Sequence, residues 1–365
     1  MTTVAIVGAS GYSGEELVRL LLSHPHAELA AVTSRQYAGQ TLAQVFPKFA
    51  HYPRARNLCF SEPDVAMLAK QAQVAFLALP HGVAAEFAAP LLERGCRVID
   101  LSADFRLRDA RVYKDFYGKE HPVPGLLRQA VYGLPESYRA AIRQASLIAC
   151  PGCYPTSVLM PLLPLLKAGL IESQGIIADS LSGVSGAGRK AELDYLFVEC
   201  NESVRPYGVP RHRHLSEIEQ ELTLAAGTSV TIQFTPHLIP VNRGILTTLY
   251  LTPLSQALGS TVSARTRGQK ERQAGGEGEA TDGIAACYQS AYAKEPFVRL
   301  LEADALPDTK NVVGTNIIEI AWRHDPRTGR LLVMSAEDNL LKGASGQAVQ
   351  CLNILCGFPE TAGLI

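Results

Sequence analysis

VAIVGASGYSG, residues 4–14, runs from four apolar residues straight into three glycines spaced three apart. Residues 4–7 read as a buried strand. Residues 15–24 read as a helix, because Leu17, Val18, Leu20, Leu21 and Leu22 recur on one helical face. Strand, glycine turn and helix in that order begin a doubly wound fold. There the pyrophosphate of a dinucleotide rests on the glycines and on the free N–H groups of the helix start. The spacing is G-x-x-G-x-x-G, not G-x-G-x-x-G, so the turn is a weak signal alone; its place at the head of a βαβ unit carries the reading. The competing reading is a tight turn that binds nothing. Gly8, Ser10, Gly11, Tyr12, Ser13 and Gly14 are the candidate cofactor contacts.

Working outward, residues 29–34, 74–80 and 97–102 are further short apolar strands, and 83–95 is helical and ends on glycine. Near-continuous apolar strands alternating with helices predict a parallel sheet covered on both faces. The second strand ends TSRQYAG (33–39). An acidic residue there would hold the ribose hydroxyl of NAD; Ser34 and Arg35 stand there instead, and a guanidinium suits the 2′-phosphate of NADPH. A solvated surface arginine is the plain alternative.

The pattern changes in the second half. Residues 155–168 are helical, IIADSLS (176–182) is a strand, and longer strands come at 230–239, 244–252, 316–325 and 330–338. Their hairpin order predicts a mostly antiparallel sheet. The fold class is therefore α/β, a Rossmann-like doubly wound sheet plus an α+β substrate domain. Residues 343–355 form a last helix. The stretch 259–283, rich in Gly, Thr, Arg and Glu, has little to bury and reads as a flexible surface insert, with a lid or partner-binding tail as the alternative.

Length and composition fit a two-domain soluble enzyme: 365 residues, 47% apolar and 19% charged. A net charge of −1 argues against a nucleic-acid footprint. The most apolar stretch, SVLMPLLPLLKAGLI, is broken by Pro161, Pro164 and Lys167 and is too short to span a bilayer. Eight scattered cysteines and no evident targeting segment predict free thiols in a reducing cytoplasm.

ACPGCYPTS (149–157) holds the chemistry. Cys150 and Cys153 make one C-x-x-C with no second pair at zinc spacing, so no metal site is expected. A redox dithiol and a buried structural thiol remain open. Cys153 comes after a strand (146–150) and a Pro-Gly turn and directly precedes a helix, and a helix start stabilises a thiolate. A thiolate beside a hydride donor can hold an acyl group as a thioester for reduction to an aldehyde. RHRHLSEIEQEL (211–222) offers the proton carrier. Ser216 and Glu219 fit a capping box, which predicts a helix from 217 with His212 and His214 in the loop ahead and Glu217 placed to orient His214. Two surface histidines are the plain alternative.

GASGYSG, DLSADFR (100–106), ACPGCYPTS, SGVSGAGRK (182–190), HRHLSEIEQE, PHLIPVNRG (236–244) and DNLLKGASGQAVQ (338–350) together resemble the N-acetyl-gamma-glutamyl-phosphate reductase family, type 1, of the semialdehyde dehydrogenase superfamily. The resemblance runs nearly end to end in the family's motif order; the 259–283 insert departs from it. It implies NADPH-dependent reduction of N-acetyl-glutamyl 5-phosphate to N-acetylglutamate 5-semialdehyde with release of phosphate, in arginine biosynthesis. It implies Cys153 as nucleophile, His214 as general acid/base, Glu217 as its orienting carboxylate and His212 as a second active-site histidine. Ser185, Gly186 and Asn339 would join the cofactor contacts, and Arg106 and Arg243 would bind the substrate's anionic groups, unless either is a domain-interface ion pair. The resemblance also extends in fold to aspartate-semialdehyde dehydrogenase. It thus places 1–149 and 339–365 in the NADP-binding domain and 150–338 in the catalytic and oligomerisation domain, and it implies a homodimer or homotetramer. The runner-up readings are the same chemistry on a carrier-bound aminoadipyl or glutamyl phosphate or on aspartyl phosphate, and an NADP-binding regulator without turnover.

Overall fold

The structure is a computed structural model that describes residues 1–189, 191–257, 282–302 and 304–365. Nearly all of the expected insert at 259–283 lies outside the described residues. The chain divides into two compact units: Met1–Cys153 with Ser185–Glu192 and Asn339–Ile365, and Tyr154–Val184 with Leu193–Asp338.

The first unit is built on seven parallel strands: β1 (Thr2–Val7), β2 (Ala27–Thr33), β3 (Phe60–Ser61), β4 (Val74–Leu77), β5 (Arg97–Asp100), β6 (Val131–Tyr132) and β7 (Leu147–Ala149). Their order is β3-β2-β1-β4-β5-β7-β6. The order reverses at β1, which pairs with β2 on one side and β4 on the other. In open α/β sheets ligands bind beyond the strand ends at this reversal, and the glycine turn lies directly after β1. Val4, Ala5, Ile6 and Val7 are fully buried because helices cover both sheet faces. The expected helix at 343–355 begins as a π-helical turn, Leu341–Ser345, and continues as the α-helix Gly346–Cys356. Gly346–Leu355 is buried throughout, so this helix is core on every side.

The second unit is one mixed sheet of β8 (Ile176–Ser182), β9 (Arg205–Pro206), β10 (Ile232–Leu238), β11 (Ile245–Leu251), β12 (Val298–Leu300), β13 (Ile318–Asp325) and β14 (Arg330–Glu337). The order is β12-β13-β14-β11-β8-β10-β9. Most neighbours are antiparallel, as the long strands predict. However, β10 and β11 do not form a hairpin with each other: β8 lies between them, parallel to β10 and antiparallel to β11. The pair β12–β13 is parallel as well.

The helix Cys153–Lys167 carries Pro161 and Pro164 in its interior. Each proline lacks the N–H that would bond the carbonyl four residues back, which orphans the carbonyls of Ser157 and Met160. Two side chains answer them: Ser335 Oγ donates to the Ser157 carbonyl at 2.7 Å, and Tyr292 OH donates to that of Met160. Tyr288 OH adds a bond to the Pro161 carbonyl at 2.8 Å. Below the first turns, the buried Ser157 and Ser180 hydroxyls both meet Thr247 Oγ1 at 2.8 Å.

Candidate active site

The glycine turn is shaped by contact. Gly8 has φ +87°, and a Cβ on it would stand 2.5 Å from the Ala78 carbonyl oxygen. A Cβ on Gly14 would stand 2.5 Å from the Gly8 oxygen, so the helix can seat on the turn only with glycine there. At Gly11 the nearest atom to such a Cβ is 3.9 Å away, which leaves room for a ligand to approach the backbone. Gly11 also caps the helix Tyr12–Leu22 without any side-chain bond to its first N–H groups. A cradle with such a helix start fits a pyrophosphate. The turn is braced by Gly8 N–H to Thr33 Oγ1 at 3.2 Å, by the Ser10–Ser34 hydroxyl pair at 3.0 Å, and by Ser345 Oγ to the Ser13 carbonyl at 2.8 Å. Arg35 comes after β2 in an exposed position, while Ser34 is buried. Ser185 and Gly186 lie in the short 3-10 turn Val184–Ala187, and Asn339 Nδ2 donates to Ser185 Oγ at 2.9 Å. Two expected cofactor residues far apart in sequence thus meet.

Cys153 is the first residue of its helix, two residues ahead of the expected start, and is half-buried. Cys150 is fully buried in the core of the first unit, and all eight cysteines are free thiols. The turn before Cys153 is held by backbone and by one arginine. Cys150 N–H donates to the Asp100 carbonyl at 2.8 Å, and Arg106 Nε donates to the Cys150 carbonyl at 2.7 Å. Arg106 also reaches the Leu101 carbonyl at 2.8 Å, and its side chain is buried. Its charge faces Asp100, whose carboxyl is pushed up to about 7 by burial and by Asp104, against the Ser102 hydrogen bonds and the Arg106 charge. Arg243 is 26% exposed and pairs with Asp338, a partner within its own unit, at 3.5 Å.

The helix expected from 217 begins one turn earlier and spans His214–Ala226. The capping box does not form: Ser216 Oγ donates back to the Arg213 carbonyl at 3.0 Å, and Glu219 accepts the Ile232 N–H at 3.1 Å. His214 is therefore the first helical residue, not a loop residue, and Glu217 lies three residues on, on the same face. His214 and Glu217 are both buried. His212 remains in the loop. Its Nδ1 accepts the His214 N–H at 3.1 Å, so the neutral ring carries its proton on Nε2. The rings of Tyr154, Tyr207, Phe234 and His214 surround it at centroid distances of 5.7, 5.5, 5.7 and 4.9 Å. Burial in this cage, with the Arg213 charge adding to it, pushes His212 down to about 4. Gly208, at φ +61°, permits the packing, since a Cβ there would sit 2.9 Å from the His212 ring. Sequence reasoning missed the cage. Its tyrosines are linked, Tyr207 OH donating to Tyr154 OH at 2.9 Å, and the one available signal was Tyr154 beside Cys153. Among the described residues, no group of three or more His, Cys, Asp or Glu could hold a metal ion, and no helix is long and apolar enough to cross a membrane.

Two family models match, the NAD binding domain of semialdehyde dehydrogenase over residues 3–145 and its dimerisation domain over 153–339. An N-acetyl-gamma-glutamyl-phosphate reductase from Akkermansia muciniphila is 54% identical, with 99% of this chain and 98% of that one covered. The chain belongs to the N-acetyl-gamma-glutamyl-phosphate reductase family. A second member, from Moorella thermoacetica, is 50% identical over 100% of this chain and 98% of its own. Solved structures share the fold: aspartate semialdehyde dehydrogenase with NADP from Candida albicans at TM-score 0.70 and 15% identity, covering 98% and 99% of the two chains. The Vibrio cholerae aspartate semialdehyde dehydrogenase II complexed with ASA is similar at 0.68 and 18%, covering 98% of each. The chain is an oxidoreductase with a nicotinamide-nucleotide-binding domain and a dimerisation domain.

Proposed function

We propose that the chain reduces N-acetyl-glutamyl 5-phosphate to N-acetylglutamate 5-semialdehyde with NADPH, through a thioester on Cys153. The observation that carries this is the placement of Cys153 as the first residue of a helix, one short turn after β7 of the nucleotide-binding sheet, in a chain of this family. The Cys153 thiolate attacks the acyl carbon, and the C–O bond to phosphate breaks with its electron pair leaving on phosphate. The N–H groups at the helix start stabilise the transient oxyanion. A bound nicotinamide supplies the hydride that reduces the thioester. His214 holds the proton that the thiohemiacetal oxygen takes and gives up as the aldehyde forms and Cys153 leaves as thiolate. Glu217, on the same helical face, orients it.

The two histidines divide the work. A ring pushed down to about 4 is neutral at pH 7 and is a poor base, so His212 acts as an Nε2–H donor and the proton transfer falls to His214. Arg106 is buried and already serves two backbone carbonyls, so it supports the thiol turn, and Arg243, with its exposed edge, is the better anion ligand. Arg35 binds the 2′-phosphate. The enzyme acts as a homo-oligomer. In the test, enzyme is mixed with the acyl phosphate without NADPH. One phosphate per chain is released in a burst, and mass spectrometry finds the acyl adduct on the Cys153 peptide. An adduct on Cys150, or none, overturns the mechanism.

A further inference from the structure

The loop Ser185–Glu192 belongs to the first unit although the chain on both sides of it belongs to the second. Its two ends are fastened differently. At one end Ser185 accepts the Asn339 hydrogen bond at 2.9 Å. At the other, Arg189 lies over two rings, its guanidinium carbon 4.9 Å from the centre of Tyr12 and 5.6 Å from that of Phe46. The same guanidinium pairs with Glu15, and Lys48 pairs with that carboxylate at 2.5 Å.

Tyr12 and Glu15 are both in the first turn of the helix after the glycines. A carboxylate in that turn repels an anion arriving at the helix start. Two cations on Glu15 reverse the local sign, and a flat guanidinium stacked on Tyr12 fixes the loop against the turn. We propose that Arg189 is a positioning residue for the cofactor: it latches the Ser185 loop onto the glycine turn and neutralises Glu15 where the pyrophosphate lands. The proposal rests on reading residues 8–14 as the pyrophosphate turn.

Fluorescence titration with NADPH tests it, beside the cofactor-free phosphate burst. Arg189→Ala raises the NADPH Kd by about tenfold, the size of a partly exposed ion pair plus a cation–π contact. The burst amplitude stays at its wild-type value and the melting temperature falls by no more than a few degrees, about what losing one partly exposed set of contacts costs the free chain; a merely structural role would lower the burst as well. Arg189→Lys keeps the charge without the flat face and loses about threefold. Glu15→Gln in the Arg189→Ala background restores part of the affinity by removing the repelling carboxylate. An Arg189→Ala Kd within twofold of wild type overturns the latch, and so does a loss shared equally by cofactor binding, burst and melting temperature. If the alanine variant does not fold, Arg189→Lys and Arg189→Gln decide by the same titration. A wild-type chain that binds no nicotinamide nucleotide overturns the cofactor reading and the latch with it; tight wild-type binding with unchanged variants overturns the latch alone.

Discussion

The glycine turn at residues 8–14 and the histidine segment at 207–217 are both candidate working parts, built on opposite principles. The first is made of backbone: absent side chains let a helix seat on a strand end and leave its first N–H groups without a side-chain cap. The second is made of side chains: aromatic rings enclose His212, and a main-chain N–H sets its tautomer. A backbone site recognises charge and shape, and the side chains beside it adjust affinity. A side-chain site tunes one proton, and each enclosing group matters to it.

Damage to the thiol and histidine parts should therefore appear as rate, and damage beside the glycine turn as affinity. The largest effect is expected at Cys153. Cys153→Ser should abolish turnover, by more than about 10⁴-fold, because a hydroxyl is far harder to ionise than a thiol. NADPH binding by titration should stay near wild type, and a large loss of binding would break the contrast. His214→Asn should come next, slowing turnover by about 10²–10⁴-fold, the range of a general acid–base contribution, with the NADPH Kd unchanged.

His212 gives a stability effect of known sign. Its folded value of about 4 lies below the unfolded 6.5, so between these pH values the unfolded chain holds a proton that the folded ring does not. Stability is therefore lost as pH falls from about 6.5 to 4, by on the order of 3 kcal/mol, and the loss levels off below that. His212→Asn, compared with wild type by urea unfolding across pH 4–7, should flatten this slope. An unchanged slope would mean that the cage does not keep the ring neutral. The smallest effect is expected beside the glycine turn. Arg35→Ala should weaken NADPH by about 1.5–3 kcal/mol, the loss of a charge-assisted contact, and leave NADH nearly untouched. Equal losses for both cofactors would remove Arg35 from the 2′-phosphate.

The difference between backbone and side-chain sites also governs what is legible in the residues. Spacing and apolar runs report backbone, so the glycine turn, the longer parallel strands and β8, at its observed limits, are readable. The two-residue strands β3 and β6 are too short for any periodicity to register. At the histidines a local pattern misled. Ser216 and Glu219 match a capping box, but Glu219 is drawn off to the N–H of Ile232, thirteen residues further on, and the helix begins at His214. The aromatic cage, the Asn339–Ser185 bond and the use of Arg106 as a brace for the Cys150 carbonyl all join distant parts of the chain, which no local window contains.

The proline-broken helix that begins at Cys153 has a consequence for the order of events during synthesis. With two interior prolines it has little tendency to form alone. Its orphaned carbonyls are met by Tyr292 and Ser335, which leave the ribosome well over a hundred residues after Cys153. The nascent helix therefore waits for partners on these two carbonyls until most of the chain has been made.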